Sequence, residues 1–152
     1  MLGVFALGAC NSKAPYEGKS VAELERMLRD SDPAVQTQGA FGLSRLGAEA
    51  RTAVPALIEV LQSAEPRVRQ NAALALTEIG PDAREAIPAL IEALKDAEWS
   101  VRRQAALALG RIGPEARSAL PALEKLGRDP DHLVRKAAQA ALKNIRHGSP
   151  TP

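Results

Sequence analysis

Residues 96–113 read Asp-Ala-Glu-Trp-Ser-Val-Arg-Arg-Gln-Ala-Ala-Leu-Ala-Leu-Gly-Arg-Ile-Gly, and the repeat that predicts the architecture is clearest here. A closely similar pattern occupies 63–80, and looser copies occupy 30–47 and 129–146, each 33 residues from the next. Within the pattern, the apolar positions recur at the spacing of one face of an α-helix; in the quoted copy they are Val101, Ala105, Leu109 and Ile112. The chain is therefore built on a repeat with a fixed step.

The register holds along most of the chain without an insertion or a deletion. Four units follow one another at 21–53, 54–86, 87–119 and 120–146, and the last unit ends after its second helix. A single unit of this size cannot bury its own apolar face, whereas a stack of units forms one continuous core. The sequence therefore predicts an all-α stack of helix pairs over residues 20–146.

Each unit is predicted to hold two helices of about 10 and 14 residues. The first helix begins at a Pro in its first turn, as at Pro88, where the missing N–H costs nothing. The second begins after an acidic residue such as Glu65, which suits the positive end of the helix dipole. It ends where a left-handed C-cap is expected, at Gly47, Gly80 and Gly113.

The composition supports closely packed helices and excludes several other classes of protein. The 152 residues include 29 Ala and 19 Leu but only 3% aromatic residues, so small side chains let helices approach one another. A hydrophobic fraction of 45% excludes a disordered chain, and no apolar run is long enough to span a membrane. The single Cys excludes an internal disulfide and a cysteine-based zinc site.

The pattern Asp-x-x-x-x-Val-Arg-x-x-Ala-x-x-Ala-Leu-x-x-Ile-Gly resembles HEAT repeats, and in particular the short bacterial HEAT-like units also found in phycobilin lyases. The resemblance implies a right-handed α-solenoid of four 33-residue helix-turn-helix HEAT-like repeats, with the second helices on the concave side. It also implies a ladder of Asp and Arg side chains between units, formed by Asp30, Asp96 and Asp129 with Arg69, Arg102 and Arg135. Two positions depart from that pattern, since Gln36 replaces Arg and Ser63 replaces Asp.

The first ten residues lie outside the repeats. Leu7-Gly8-Ala9-Cys10 resembles a bacterial lipobox, which implies that residues 1–10 are a residual signal peptide and that Cys10 carries a lipid. Residues 11–19 would then form a flexible polar tether, and 147–152 a disordered tail. The implied location is the periplasmic side of the bacterial cell envelope. No Lys or Arg precedes Cys10, so the alternative is a cytoplasmic scaffold with a frayed N-terminus.

Few residues in the sequence suggest catalysis. Neither His132 nor His147 is followed by Glu, whereas the di-iron deoxyhypusine hydroxylases, which use similar repeats, bind metal through His-Glu pairs. The sequence contains no Gly-rich phosphate loop and no nucleophile with an adjacent base. We therefore expect no enzyme activity, no cofactor and no metal site. An accessory role resembling that of the chromophore lyases remains as the alternative.

The charge distribution favours binding to an acidic partner, which could be another protein, a phosphorylated or carboxylated polymer, or lipid headgroups. The four units carry net charges of −1, −2, +1 and +3 in chain order, so the array becomes basic toward its free end. Polar residues of the second helices that face away from the apolar stripe are expected to line the concave surface; the candidates are Arg67, Gln70, Arg103, Lys136 and Lys143, and the row Ser44, Thr77 and Gly110 shares the register of Lys143. Each could equally be ordinary solvated surface.

Trp99 is a further candidate, because it occupies a slot that Pro33 and Pro66 fill in other units. Its ring is expected either to anchor a partner or to pack over the adjacent turn. Nucleic acid is disfavoured, since the net charge of +2 is small and the basic residues lack interleaved aromatics. The oligomeric state is left open, because an uncapped first unit could stack on a second copy.

Overall fold

The computed structural model describes residues 13–148, and this part of the chain is helical, with no β-strand. Cys10 and residues 149–152 lie outside the described range. The eight α-helices of residues 13–148 form four consecutive pairs: α1 (Val21–Leu28) with α2 (Pro33–Leu46), α3 (Val54–Val60) with α4 (Pro66–Ile79), α5 (Ile87–Ala93) with α6 (Trp99–Ile112), and α7 (Leu120–Leu126) with α8 (His132–His147).

The helix pairs stack in order and share one core. The second helices α2, α4, α6 and α8 pack side by side along their lengths, whereas the first helices of successive pairs barely touch. Helices on the inner side of a bend lie closer together, so the second helices form the concave side. Fully buried leucines recur at the repeat step through the core, at Leu24, Leu57, Leu90 and Leu123. The α-solenoid predicted from the repeat is confirmed.

The first helix of each later unit differs from the prediction. The expected α-helix of about 10 residues is a seven-residue α-helix. It follows a seven-residue 3₁₀ segment, at Gly47–Ala53, Gly80–Ala86 or Gly113–Ala119. Each segment buries two alanines three residues apart, such as Ala83 and Ala86. Since side chains at i and i+3 align in a 3₁₀ helix, both methyl groups reach the core.

Glycines end the second helices, as predicted, but in a different conformation. Gly47, Gly80 and Gly113 have φ of 56°, 72° and 81° with ψ between −130° and −142°. This is the first central position of a type II′ turn and not the left-handed helical region. Among these helix ends, only Gly148 after α8 has left-handed helical angles, with φ 67° and ψ 16°. The type II′ geometry turns the chain directly into the 3₁₀ segment.

The predicted tether contacts the first unit through Tyr16. The Tyr16 ring meets Phe41 edge to face, with ring centroids 5.1 Å apart. A Cβ at Gly42 would lie 2.8 Å from Tyr16 Cβ, so this close approach requires glycine where the other units have Ala. Tyr16 therefore covers the start of the stack. Backbone hydrogen bonds from Glu17 to Ala14 and from Lys19 to Tyr16 form turns on either side of it, so this part of the predicted tether has a defined structure. At the other end, α8 continues to His147, one residue into the predicted tail.

Candidate functional site

Two arginines of the predicted ladder join consecutive units. The Arg69 guanidinium donates to both carboxylate oxygens of Asp96, at 2.7 and 2.8 Å. One unit later, Arg102 donates to both carboxylate oxygens of Asp129 in the same way, at 2.7 and 3.0 Å. Each arginine also donates to two carbonyls of the turn in its own unit; for Arg102 these belong to Asp96 and Ala97, at 2.9 and 3.0 Å. One side chain therefore connects the turns of two units.

The ladder aspartates also shape the turns in which they lie. Asp96 Oδ1 accepts from the Glu98 amide, and Asp129 Oδ1 from the Asp131 amide, each at 2.9 Å. The hydrogen bond from Arg102 holds the pKa of Asp129 below its usual value against the opposing effect of burial. Burial is the largest influence on Asp96 and would raise its pKa, but Arg69 and the Glu98 amide outweigh it, so the pKa is lowered. Both carboxylates are charged at neutral pH.

The connection between the first two units lacks this ion pair on both sides. Gln36 stands at the arginine position and donates to the Asp30 carbonyl at 2.9 Å. Ser63 stands at the aspartate position, and its hydroxyl accepts from the Glu65 amide at 3.3 Å. Each residue therefore keeps the hydrogen bond within its own turn, but it carries no charge. The two changes match, because a half-buried charge with no partner would be costly.

The outermost ladder residues have no charged partner among residues 13–148. Asp30 accepts from the Asp32 amide at 2.8 Å, and Arg135 donates to the Asp129 and Pro130 carbonyls at 2.7 and 2.9 Å. Of the six predicted ladder residues, the structure brings together Arg69 with Asp96 and Arg102 with Asp129. Asp30 and Arg135 lie at the two ends.

The predicted concave row lies along the second helices and becomes basic toward α8. Arg67 and Lys136 are exposed, and Gln70 and Arg103 are half-buried. None of the three cations forms an ion pair with another residue in the described range. Trp99 begins α6 with 43% of its surface exposed, which leaves much of the ring open to a partner.

Acidic residues moderate the charge at the start of the row. Arg67 shares with Glu65 a hollow of about 350 Å³ between the beginnings of α2 and α4. Toward α8 the corresponding acid is Asp131, whose carboxylate accepts from the Leu133 and Val134 amides at 2.8 and 3.1 Å and so caps the helix. Since an acid stands at this place in every unit, the basic character near α8 comes from Lys136 and Lys143, whose equivalents in the first unit are Thr37 and Ser44.

The row expected two turns further along does not line the surface. Ser44 and Gly110 are buried, and a Cβ at Gly110 would lie 2.9 Å from the Ala141 backbone. These positions face the next second helix, so stacking covers them. Lys143 remains exposed because α8 has no following helix in the described range. The sequence gives the face of a helix, but which part of that face a neighbour covers depends on how the helices cross.

One buried polar contact between units was not predicted. The Gln104 amide donates to the Thr77 hydroxyl at 3.0 Å, and Gln104 is 7% exposed. The Thr77 hydroxyl in turn donates to the Ala73 carbonyl at 2.8 Å. In the sequence, Gln104 is a polar residue beside the apolar stripe, which could have indicated a buried polar contact. The sequence alone does not identify Thr77 of the preceding unit as its partner.

Within residues 13–148, no group of three or more His, Cys, Asp or Glu side chains is arranged to hold a metal ion. None of the helices described is long and apolar enough to cross a membrane.

The family model for HEAT repeats matches residues 21–83 and 54–143, which together make up well over half of the chain. This chain belongs to the HEAT-repeat family. No curated protein sequence matches it.

Solved structures share the architecture of this HEAT-repeat protein. A designed armadillo repeat protein in complex with the peptide (KR)4 has a TM-score of 0.74 at 24% identity, covering 82% of this chain and 64% of that one. Human deoxyhypusine hydroxylase has a TM-score of 0.65 at 30% identity, covering 86% and 45%. The CpcE–CpcF complex of phycocyanin lyase from Nostoc sp. PCC7120 has a TM-score of 0.63 at 21% identity, covering 98% and 71%. The chain thus spans less than two thirds of the first two proteins.

Proposed function

We propose that this HEAT-repeat protein is a non-catalytic interaction module that binds an acidic segment of a partner protein on its concave side. The observation that carries the proposal is the row of cations on successive inner helices. Arg103 on α6 and Lys136 on α8 stand at the same repeat position, and Arg67 lies three residues, or about one turn, before its equivalent on α4, Gln70. No ion pair in the described range occupies these three cations. A row of unpaired like charges on a curved surface attracts a segment of the opposite sign.

The spacing of the row suits an extended segment. Packed helices lie about 10 Å apart, and an extended chain rises about 3.3 Å per residue, so successive cations are about three residues apart along such a segment. An acidic residue at every third position would therefore meet one cation per unit. Trp99, exposed beside Arg103 in the same unit, offers an apolar contact.

The similarity to the designed armadillo repeat protein fits a binding role. That protein is in complex with the basic peptide (KR)4, and its likeness to this chain lies in the fold. Here the inner side toward α8 is basic, so the expected peptide has the opposite charge.

A labelled peptide with Glu at every third residue tests the proposal by fluorescence anisotropy. Arg103→Glu with Lys136→Glu should weaken binding by at least about tenfold, and added salt should weaken binding to the parent protein. Arg84→Glu with Arg117→Glu is the matched control, because both arginines are exposed in the 3₁₀ segments away from the inner side. Equal loss in both variants would show general attraction without a concave site. Stoichiometric metal or chromophore in the purified protein would contradict the non-catalytic assignment.

We further propose that a lipid on Cys10 tethers the module to the periplasmic side of the bacterial cell envelope. The support is the likeness of Leu7-Gly8-Ala9-Cys10 to a lipobox, together with the placement of the single Cys there. Cells expressing the protein should incorporate a radioactive fatty acid into it, and Cys10→Ser should abolish the label. A variant labelled as strongly as the parent would leave the cytoplasmic scaffold as the better assignment.

A further inference from the structure

The outer side of the solenoid carries a groove between the last two units. Because α5 and α7 barely touch, a space of about 440 Å³ remains between them. Its floor is apolar and partly accessible, formed by Ile91, Leu94, Pro121, Ala122 and Leu126. This groove lies on the opposite side of the helix pairs from the concave row.

Three cations border this floor. Lys95, Lys125 and Arg128 are exposed and line the groove. Lys95 contacts Glu92 at 3.1 Å, but both side chains are about two thirds exposed, and such pairs add little stability. Lys125 and Arg128 form no side-chain hydrogen bond or ion pair with other residues in the described range.

The neighbouring acids do not neutralise this border. Asp129 reaches the groove, but its carboxylate is bound by Arg102 and its side chain is only 5% exposed. Glu124 pairs with Arg146 of α8 and so turns away from the groove.

The repeat provides an internal comparison for this charge. One unit earlier, the positions equivalent to the three cations hold Gln62, Glu92 and Lys95, with no net charge. Two units earlier they hold Arg29, Glu59 and Gln62, again with no net charge. The apolar floor, in contrast, is kept in register, with Ile58, Leu61 and Pro88 at equivalent positions one unit earlier. Only the last groove combines that floor with three cations.

We infer that this groove binds an amphipathic helical segment of a partner protein, with apolar residues on one stripe and acidic residues beside it. A helix packed between α5 and α7 places side chains spaced i, i+4 on the floor, and its flanking carboxylates meet the three cations. A flat bilayer surface would reach the cations but not the floor beneath them. The inference concerns a second surface and does not depend on the concave site.

A labelled synthetic peptide of about 18 residues, with Leu at i, i+4 and i+7 and Glu on the flanking positions, tests this inference by anisotropy. The full chain should bind it, and Lys125→Glu with Arg128→Glu should weaken binding by at least about tenfold. A floor variant, Ala122→Gln, should also weaken binding because it introduces a polar group into the apolar contact. Arg103→Glu with Lys136→Glu makes the same charge change on the concave side and reports any binding there. Arg45→Glu with Arg51→Glu is the matched control, because both arginines are exposed in the first unit, away from the groove, and it should leave binding unchanged. Far-ultraviolet circular dichroism confirms that each variant is folded.

The possible outcomes separate the two surfaces. Loss of peptide binding in the concave variant alone would overturn the groove and favour the concave site. Equal binding by all variants, or no binding by the parent chain, would also overturn it. Vesicles containing phosphatidylglycerol provide the other comparison. If these vesicles bind through Lys125 and Arg128 while the peptide does not bind, the surface faces a membrane and the inference is wrong.

Discussion

Each ladder arginine makes two kinds of contact that no shorter side chain could make together. Arg102 donates to carbonyls in its own turn and grips a carboxylate of the next unit with a bidentate pair. The planar guanidinium fixes both sets of hydrogen bonds in one geometry, which a lysine could not do. The contact is also shielded, because the two side chains of the Arg102–Asp129 pair are 15% and 5% exposed. The ladder therefore sets the spacing of the turns on successive units.

Asp129→Asn should lower the free energy of unfolding by about 2–3 kcal/mol, because it leaves the Arg102 charge half-buried without a counterion. Urea denaturation measures the change. Glu92→Gln is the matched control, since it breaks the exposed pair with Lys95 and should cost less than about 0.5 kcal/mol. Similar losses in the two variants would mean that the ladder contributes no more than a surface ion pair.

At the scale of the elements, the 3₁₀ segments show what the sequence could and could not predict. The repeat step, the two helices per unit and the glycine positions all follow from residues printed in the chain. The 3₁₀ geometry does not, since alanines three residues apart, such as Ala83 and Ala86, fit nearly as well on an α-helix. Likewise, Gly110 and Ser44 lie on the expected helix face, but packing against the next helix buries them. The 3₁₀ geometry and the burial of these two residues depend on tertiary contacts, which cannot be read from the local sequence.

The type II′ geometry at Gly113 predicts that Asn is destabilising at this position, whereas a left-handed helical cap would tolerate Asn. A Cβ there would meet no atom within 4 Å, so any cost of substitution comes from the backbone angles alone. Gly113→Ala and Gly113→Asn should each lower stability by about 1–3 kcal/mol, because Asn tolerates the left-handed helical region but not this one.

Gly148 supplies the control, since its angles are left-handed helical and Gly148→Asn should change the midpoint of thermal unfolding little. If Gly113→Asn were as stable as the parent protein, the turn would have to relax to a left-handed cap.

At the scale of the whole molecule, the stack is continuous in its core but uneven in its charged connections. Ion pairs join the second unit to the third and the third to the fourth, whereas Gln36 and Ser63 leave the first connection neutral. Tyr16 packs on Phe41 and covers the free end of that first unit. Because stability in a solenoid depends on contacts between neighbouring units, the first unit should open before the others.

Gln36→Arg combined with Ser63→Asp should restore the missing ion pair and stabilise the first connection. Each single change adds an unpaired charge and should lower stability, so a double-mutant cycle should give a favourable coupling of about 1–2 kcal/mol. Hydrogen exchange should slow in α1 and α2 of the double variant and change little in α8. Additive effects of the two substitutions would argue against a rebuilt ion pair.

The ladder carboxylates should also make the solenoid sensitive to acid. The pKa values of Asp96 and Asp129 lie below the value of about 3.9 expected in the unfolded chain, so the unfolded state binds more protons in acid. Their stabilisation is fully present above that value and is lost as the pH falls through the lower folded pKa values. Urea denaturation at a series of pH values should show this loss. It should be smaller in Asp129→Asn, which removes one of the two groups, and an equal loss would assign it to other residues.

The packing of Tyr16 determines how far a group attached at Cys10 could stand from the solenoid. Only six peptide steps separate the two residues, which corresponds to a reach of at most about 20 Å. Successive units advance by about 10 Å, so the fourth unit lies about 30 Å beyond the first. A bilayer holding an acyl chain on Cys10 would thus keep the acidic first half of the array close to its headgroups. The basic half, with the groove and the basic end of the concave row, begins about 20 Å farther along the stack than the first unit. An array that stands on its tether would present both to partners in solution.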